Sequence, residues 1–157
     1  MLRSLTSAKI QFRGAPRDAI LAAVPELGWI DCARPEMWVV VLPREYTVEE
    51  FASEFDVLTA RLHALRHPTT VLIDVTHLGR SDPRNRARAA EFFRAEADEL
   101  RRRVRAWGFV SPSPVLRGAI TAIGWLGAFP IPTQTFADRA HCERWLLSRH
   151  GATTSAR

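Results

Sequence analysis

Val71-Leu72-Ile73-Asp74-Val75, followed by Gly79-Arg80-Ser81-Asp82-Pro83, is the stretch on which the fold turns. A short apolar run rich in β-branched side chains suits a strand covered on both faces, the environment of a parallel sheet. The turn after it leads to Pro83 at what would be the first helical position, where a missing N–H costs nothing, with Ser81 or Asp82 as the cap. A buried strand that hands over to a capped helix is the first half of a β-α-β unit.

The same unit repeats outward from this stretch. Upstream, Trp38-Val39-Val40-Val41-Leu42 reads as another buried strand, and Thr47-Val48-Glu49-Glu50 has the Thr and Glu spacing of a capping box that opens a helix. In that helix Phe51, Phe55, Leu58, Leu62 and Leu65 recur at spacings of four and three, so it has one core face. It should end near His67-Pro68, because a residue before proline avoids the helical region. Downstream, the helix opened by Pro83 is expected to run to about Val104 on a stripe of Ala90, Phe93, Ala97, Leu100 and Val104. Ala106 to Val110 is a third strand, and Ser111-Pro112-Ser113-Pro114 opens a helix reaching about Ala128. Thr133 to Phe136 is a fourth strand, and Asp138 caps a last helix that packs through Cys142, Trp145 and Leu146.

The predicted fold is therefore one α/β domain over residues 1–150, with a mostly parallel or mixed central sheet and crossover helices. Residues 1–35 are read as an extension, with Lys9 to Phe12 an antiparallel edge strand and Arg17 to Val24 a short helix before a turn at Gly28-Trp29. Residues 151–157, small and polar, are expected to form a disordered tail.

Composition narrows the function classes. At 157 residues and 46% hydrophobic, the chain can build a core without disulfides or metals. Cys32 and Cys142 lie far apart with no C-x-x-C, which points to a reduced, cytoplasmic setting and to no structural zinc. Met1 to Phe12 lacks the apolar run of a signal peptide. The most apolar stretch, Val115 to Phe129, is too short for a membrane span and contains Arg117. The formal charge of +5 is carried almost wholly by arginine, with Lys9 the only lysine, an imbalance that GC-rich coding produces irrespective of function. Acids interleave with these arginines, as in Asp98/Arg102 and Glu99/Arg103, each four apart on one helix. No nucleic-acid-binding motif accompanies the charge, so nucleic acid is not the expected partner.

The strand Val71-Leu72-Ile73-Asp74-Val75-Thr76 with the turn and helix after it, and the segment Ser111-Pro112-Ser113-Pro114-Val115-Leu116-Arg117-Gly118, resemble the STAS-like superfamily, which includes bacterial anti-sigma-factor antagonists. Thr135-Phe136-Ala137-Asp138 followed by Trp145-Leu146 is similar to the strand, loop and helix that end that family. The resemblance covers roughly residues 36–150. It implies a non-catalytic signalling domain that docks on a protein partner, in many relatives under control of a serine after the Asp-bearing strand. Ser81 occupies that general place, but Gly79-Arg80-Ser81-Asp82-Pro83 departs from the family's Asp-Ser-Ser/Thr-Gly. A phosphate on Ser81 would meet repulsion from Asp82, with Arg80 and Arg84 to compensate. A helix cap is the plainer reading of Ser81.

No catalytic constellation assembles. His63 and His67 are four apart on one helix but lack a third ligand, so no metal site is expected. The glycine-rich nucleotide motifs and Gly-x-Ser-x-Gly are missing, and no cofactor is expected. Asp74, at the end of a buried strand, is either a catalytic carboxylate or a turn cap. Two surfaces remain. Thr76, Arg80, Ser81, Arg84 and Arg117 gather where the strands' carboxyl ends meet helix amino termini, a place suited to an anion or acidic partner. The nearly all-apolar segment Val115 to Phe129 is first read as buried in the monomer. Alternatively Trp125, Phe129 and Ile131 cover a homodimer contact, a protein partner or a lipid-like ligand. The expectation is a regulatory or scaffolding module that binds a protein partner. The alternatives are a carrier or sensor of a small apolar or anionic ligand and, third, an enzyme of unknown class.

Overall fold

The computed structural model describes residues 29–79, 82–125 and 129–151. Strands β1 (Ile30–Ala33) and β2 (Met37–Val41) pair antiparallel. Each of β3 (Thr69–Asp74), β4 (Val104–Val110) and β5 (Thr133–Phe136) then adds parallel to the strand before it. The sheet order is the chain order, β1-β2-β3-β4-β5. Sequential parallel strands joined by crossovers of one hand place the connecting helices on one side of a sheet. Helices α1 (Val48–Ala64), α2 (Pro83–Ala95), α3 (Ala97–Arg103) and α4 (Pro114–Trp125) accordingly share a face, and α5 (Arg139–Gly151) covers the other.

The alternation of strand side chains divides the core into two layers. Trp38, Val40, Val71, Ile73, Val104 and Trp107 meet Leu58, Leu62, Phe92, Phe93 and Leu100 on the four-helix side. Met37, Val39, Leu72, Ala106 and Val110 meet Cys142 and Leu146 of α5 on the other. A run of ring contacts, Trp29–Tyr46–Phe51–Phe55–Phe92–Phe93–Phe129–Phe109, threads the thicker layer. On the thinner side α5 sits directly over Gly108, where a Cβ would lie 2.3 Å from Cys142 Sγ. The bare backbone at that position sets how closely helix and sheet approach.

Local signals placed several elements correctly. Thr47 Oγ1 accepts from Glu50 N–H at 3.1 Å while Glu50 Oε2 accepts from Thr47 N–H at 2.7 Å, a complete capping box. Of the two cap candidates before Pro83, Asp82 takes the role, its Oδ1 accepting from Arg84 N–H at 2.8 Å. Asp138 Oδ1 accepts from His141 N–H at the start of α5.

Several expectations need correction. The helix read from Pro83 to Val104 is two helices, broken at Glu96, whose backbone sits at φ −98°, ψ 11°. Glu96 Oε2 there meets His63 Nε2 of α1 at 2.7 Å. Val104 does not end that helix but begins β4 in extended conformation, opposite Thr69. A buried β-branched residue serves a strand at least as well as a helix stripe, so period alone could not place it. Strand β3 also starts earlier than Val71, with Thr69 and Thr70 fully buried and Thr70 Oγ1 donating to Glu36 O at 2.8 Å. The antiparallel edge strand found is β1; the segments Lys9 to Phe12 and Arg17 to Val24, and residues 152–157, lie outside the described residues. Gly151, assigned to the tail, is the last residue of α5. No helix among the described residues is long and apolar enough to cross a membrane.

Candidate functional site

At the carboxyl edge of the sheet the chain is tied strand to strand. Leu42 N–H donates to Asp74 O, Val75 N–H to Val110 O and Ser111 N–H to Phe136 O, at 2.9, 2.9 and 3.0 Å. Asp74 Oδ1 accepts from Thr76 N–H at 2.9 Å, the turn-capping role of an Asp at a strand end. Thr76 is exposed on this edge.

Two of the arginines expected to bind an anion here, Arg84 and Arg117, are engaged within the fold. Arg84 donates its backbone N–H and its guanidinium to Asp82, whose carboxyl these bonds hold below the usual range. Arg88 reaches Asp56 at 3.0 Å. Arg117 Nη1 folds back to Ser111 O at 2.7 Å and Pro112 O at 2.9 Å. Ser113 Oγ accepts from Leu116 N–H at 3.3 Å, so a free amide at each of the two helix starts already has an acceptor. Arg80 and Ser81 lie outside the described residues. An anion held by Arg84 or Arg117 would have to displace bonds already made.

Burial pushes the Cys142 thiol up to about 12, far from a thiolate at neutral pH. Among the described residues, no three or more His, Cys, Asp or Glu side chains converge as a metal site, and His63 is taken up by Glu96.

Helix α4 offers a different surface. Leu116 and Ile120 pack against the thicker core layer, and Thr121 Oγ1 lies 3.4 Å from Thr135 Oγ1 on β5. The opposite side of the helix presents Val115, Ala119, Ala122 and Trp125, spaced four, three and three apart and all exposed. Val115 is 81% and Trp125 84% exposed. Arg117 is the one charged residue in the helix, and its side chain bends toward the preceding loop. Burial of this segment in the monomer thus holds for its inner face alone. Phe129 and Ile131, grouped with Trp125 from the sequence, turn inward instead. Phe129 packs on Phe93 and Phe109 beside Gly124, and Ile131 is buried. Val115 joins Trp125 on the outer face, linked to it through Ala119 and Ala122 by steps of four, three and three. The chain matches no family model, curated protein or solved structure.

Proposed function

We propose that the chain is a non-catalytic regulatory or scaffolding module, STAS-like in kind and cytoplasmic, that binds a protein partner through the outer face of α4. The observation that carries this reading is Trp125, exposed over 84% of its surface on a helix side that holds no charge. Single exposed apolar residues need no explanation, but an aromatic residue aligned with Val115 and two alanines along one helix gives an apolar stripe of the kind that marks interaction surfaces. Tryptophan is also the residue most often found to dominate binding energy at an interface centre. A partner with an apolar groove or helix face would remove the stripe from water.

The test compares the proteins retained by the wild-type chain and by the double variant Val115→Asp/Trp125→Ala in extracts of cells that make it. An Asp in the first turn of α4 favours the helix dipole, so the variant should keep its fold. The expected result is a specific partner whose affinity falls at least about thirtyfold in the variant, since losing an anchor costs on the order of 2 kcal/mol. Equal retention of that partner by both would overturn the reading. If the partner is a second copy of the chain, the same variant turns a dimer into a monomer in sedimentation.

A further inference from the structure

We propose that the chain pairs with a second copy of itself along the outer edge of β5, so that two sheets join into one and the outer faces of two α4 helices meet above the junction. A second copy is then the partner of the α4 surface, and the inference rests on that surface being an interface. From Gly118 to Phe136 the sequence holds no charged residue, in a chain of which 25% is charged. That run supplies most of α4 and all of β5, and none of the described residues of either element is buried. In a symmetric contact each residue meets a copy of the same surface, so an uncharged run avoids the repulsion that like charges would bring.

Strand β5 ends the sheet order, and among the described residues no strand pairs with its outer side. Edge strands are commonly kept from pairing by charge or proline, and Thr133–Phe136 contains neither. Pro132, just before it, turns its carbonyl toward β4, where it accepts from Trp107 N–H at 2.9 Å, and Phe136 O accepts from Ser111 N–H at 3.0 Å. Backbone polar groups of successive strand residues point to opposite edges, so Thr133 and Thr135 direct theirs outward. With a two-fold axis normal to the sheet at Gln134, Thr133 of one copy faces Thr135 of the other in antiparallel register. Each of the two pairs so formed exchanges both its N–H···O bonds.

The same axis serves the helices. Thr121 Oγ1 lies 3.4 Å from Thr135 Oγ1, which stands the middle of α4 over the middle of β5. Around the helix Thr121 falls between the inward pair Leu116 and Ile120 and the outer Trp125, so the apolar stripe turns toward the outer edge of the strand. Neighbouring strands lie about 4.8 Å apart and packed helices about 8–10 Å apart, so two α4 helices standing over paired β5 strands come into contact. The stripe is also symmetric in size. With the axis passing between Ala119 and Ala122, Trp125 of one copy covers Val115 of the other, and the alanines let the helices approach at the centre. The two tryptophans alone would bury about 300–500 Å² of the roughly 1,200–2,000 Å² of a stable interface, and the rest of both stripes and strands adds to it.

Sedimentation of the full chain over a range of concentrations tests the pairing. The expected result is a concentration-dependent dimer that Trp125→Ala weakens at least about a hundredfold, because a symmetric contact loses the anchor twice. Thr135→Pro removes an outward N–H and leaves the bonds to β4 in place, and it should weaken the dimer at least about tenfold. Should that variant fold poorly, Gln134→Cys tests the register by itself. Residues facing each other in a non-hydrogen-bonded antiparallel pair lie about 4.5 Å apart, within disulfide reach, so mild oxidation should link two copies covalently. The unsubstituted chain, with Cys32 and Cys142, is the control and should stay unlinked. A chain that is monomeric at every concentration overturns the proposal and leaves the α4 reading to stand or fall on capture of a different protein. A dimer indifferent to Thr135→Pro that forms no disulfide through position 134 overturns the strand pairing, and a dimer that survives Trp125→Ala overturns the helix contact and the α4 reading with it.

Discussion

Gly108 illustrates how a single residue carries the thinner layer of the fold. Its missing side chain lets Cys142 and Leu146 approach β4, both fully buried. Gly108→Ala should therefore destabilise the protein by about 1–3 kcal/mol, the usual cost of overpacking, and the loss should shrink when Cys142→Ala removes the opposing sulfur. Urea unfolding of the four members of that cycle measures the coupling; additive losses would mean that helix and strand do not meet at this pair. Residue-scale features were legible in the sequence where their partners are local. The capping box at Thr47 and Glu50 and the proline at the start of α2 involve neighbours a turn away. The break at Glu96 was not legible, because neither proline nor glycine marks it in the sequence.

At the scale of elements, α4 shows the limit of hydrophobic periodicity. A helix that is apolar nearly all round has no polar stripe to say which side faces out, so its sequence favoured burial and could not say which residues stay outside. The sheet decides, by taking Leu116 and Ile120 inward and leaving Val115 and Trp125 outside. Trp125→Ala should change stability by no more than about 0.5 kcal/mol, as surface substitutions do, whereas Ile120→Ala one helix face away should cost about 2 kcal/mol. Melting curves of the two variants separate these outcomes. A large loss from Trp125→Ala would place that side chain in the core and remove the basis for an interface.

Across the whole molecule, the parallel sheet and its crossovers followed from the alternation of buried apolar runs with capped helices. The strand order then follows from connectivity, and the last helix takes the face that the first four leave uncovered. The bulge between β3 and β4 was beyond sequence reading, because no local pattern announces the step from Thr69↔Val104 to Thr70↔Ala106. The anion edge was legible only in part. Charge and helix starts did mark a real edge of the sheet, but composition could not show that Arg84 and Arg117 satisfy acceptors of their own.

The central claim is that Trp125 touches another protein. A photo-crosslinking amino acid in place of Trp125, irradiated in intact cells that make this chain, tests it most directly, with the same amino acid at exposed Ser53 on α1 as the control. The expected result is one discrete protein adduct from position 125 that is not formed from position 53. No adduct from position 125, or the same adducts from both positions, would contradict it.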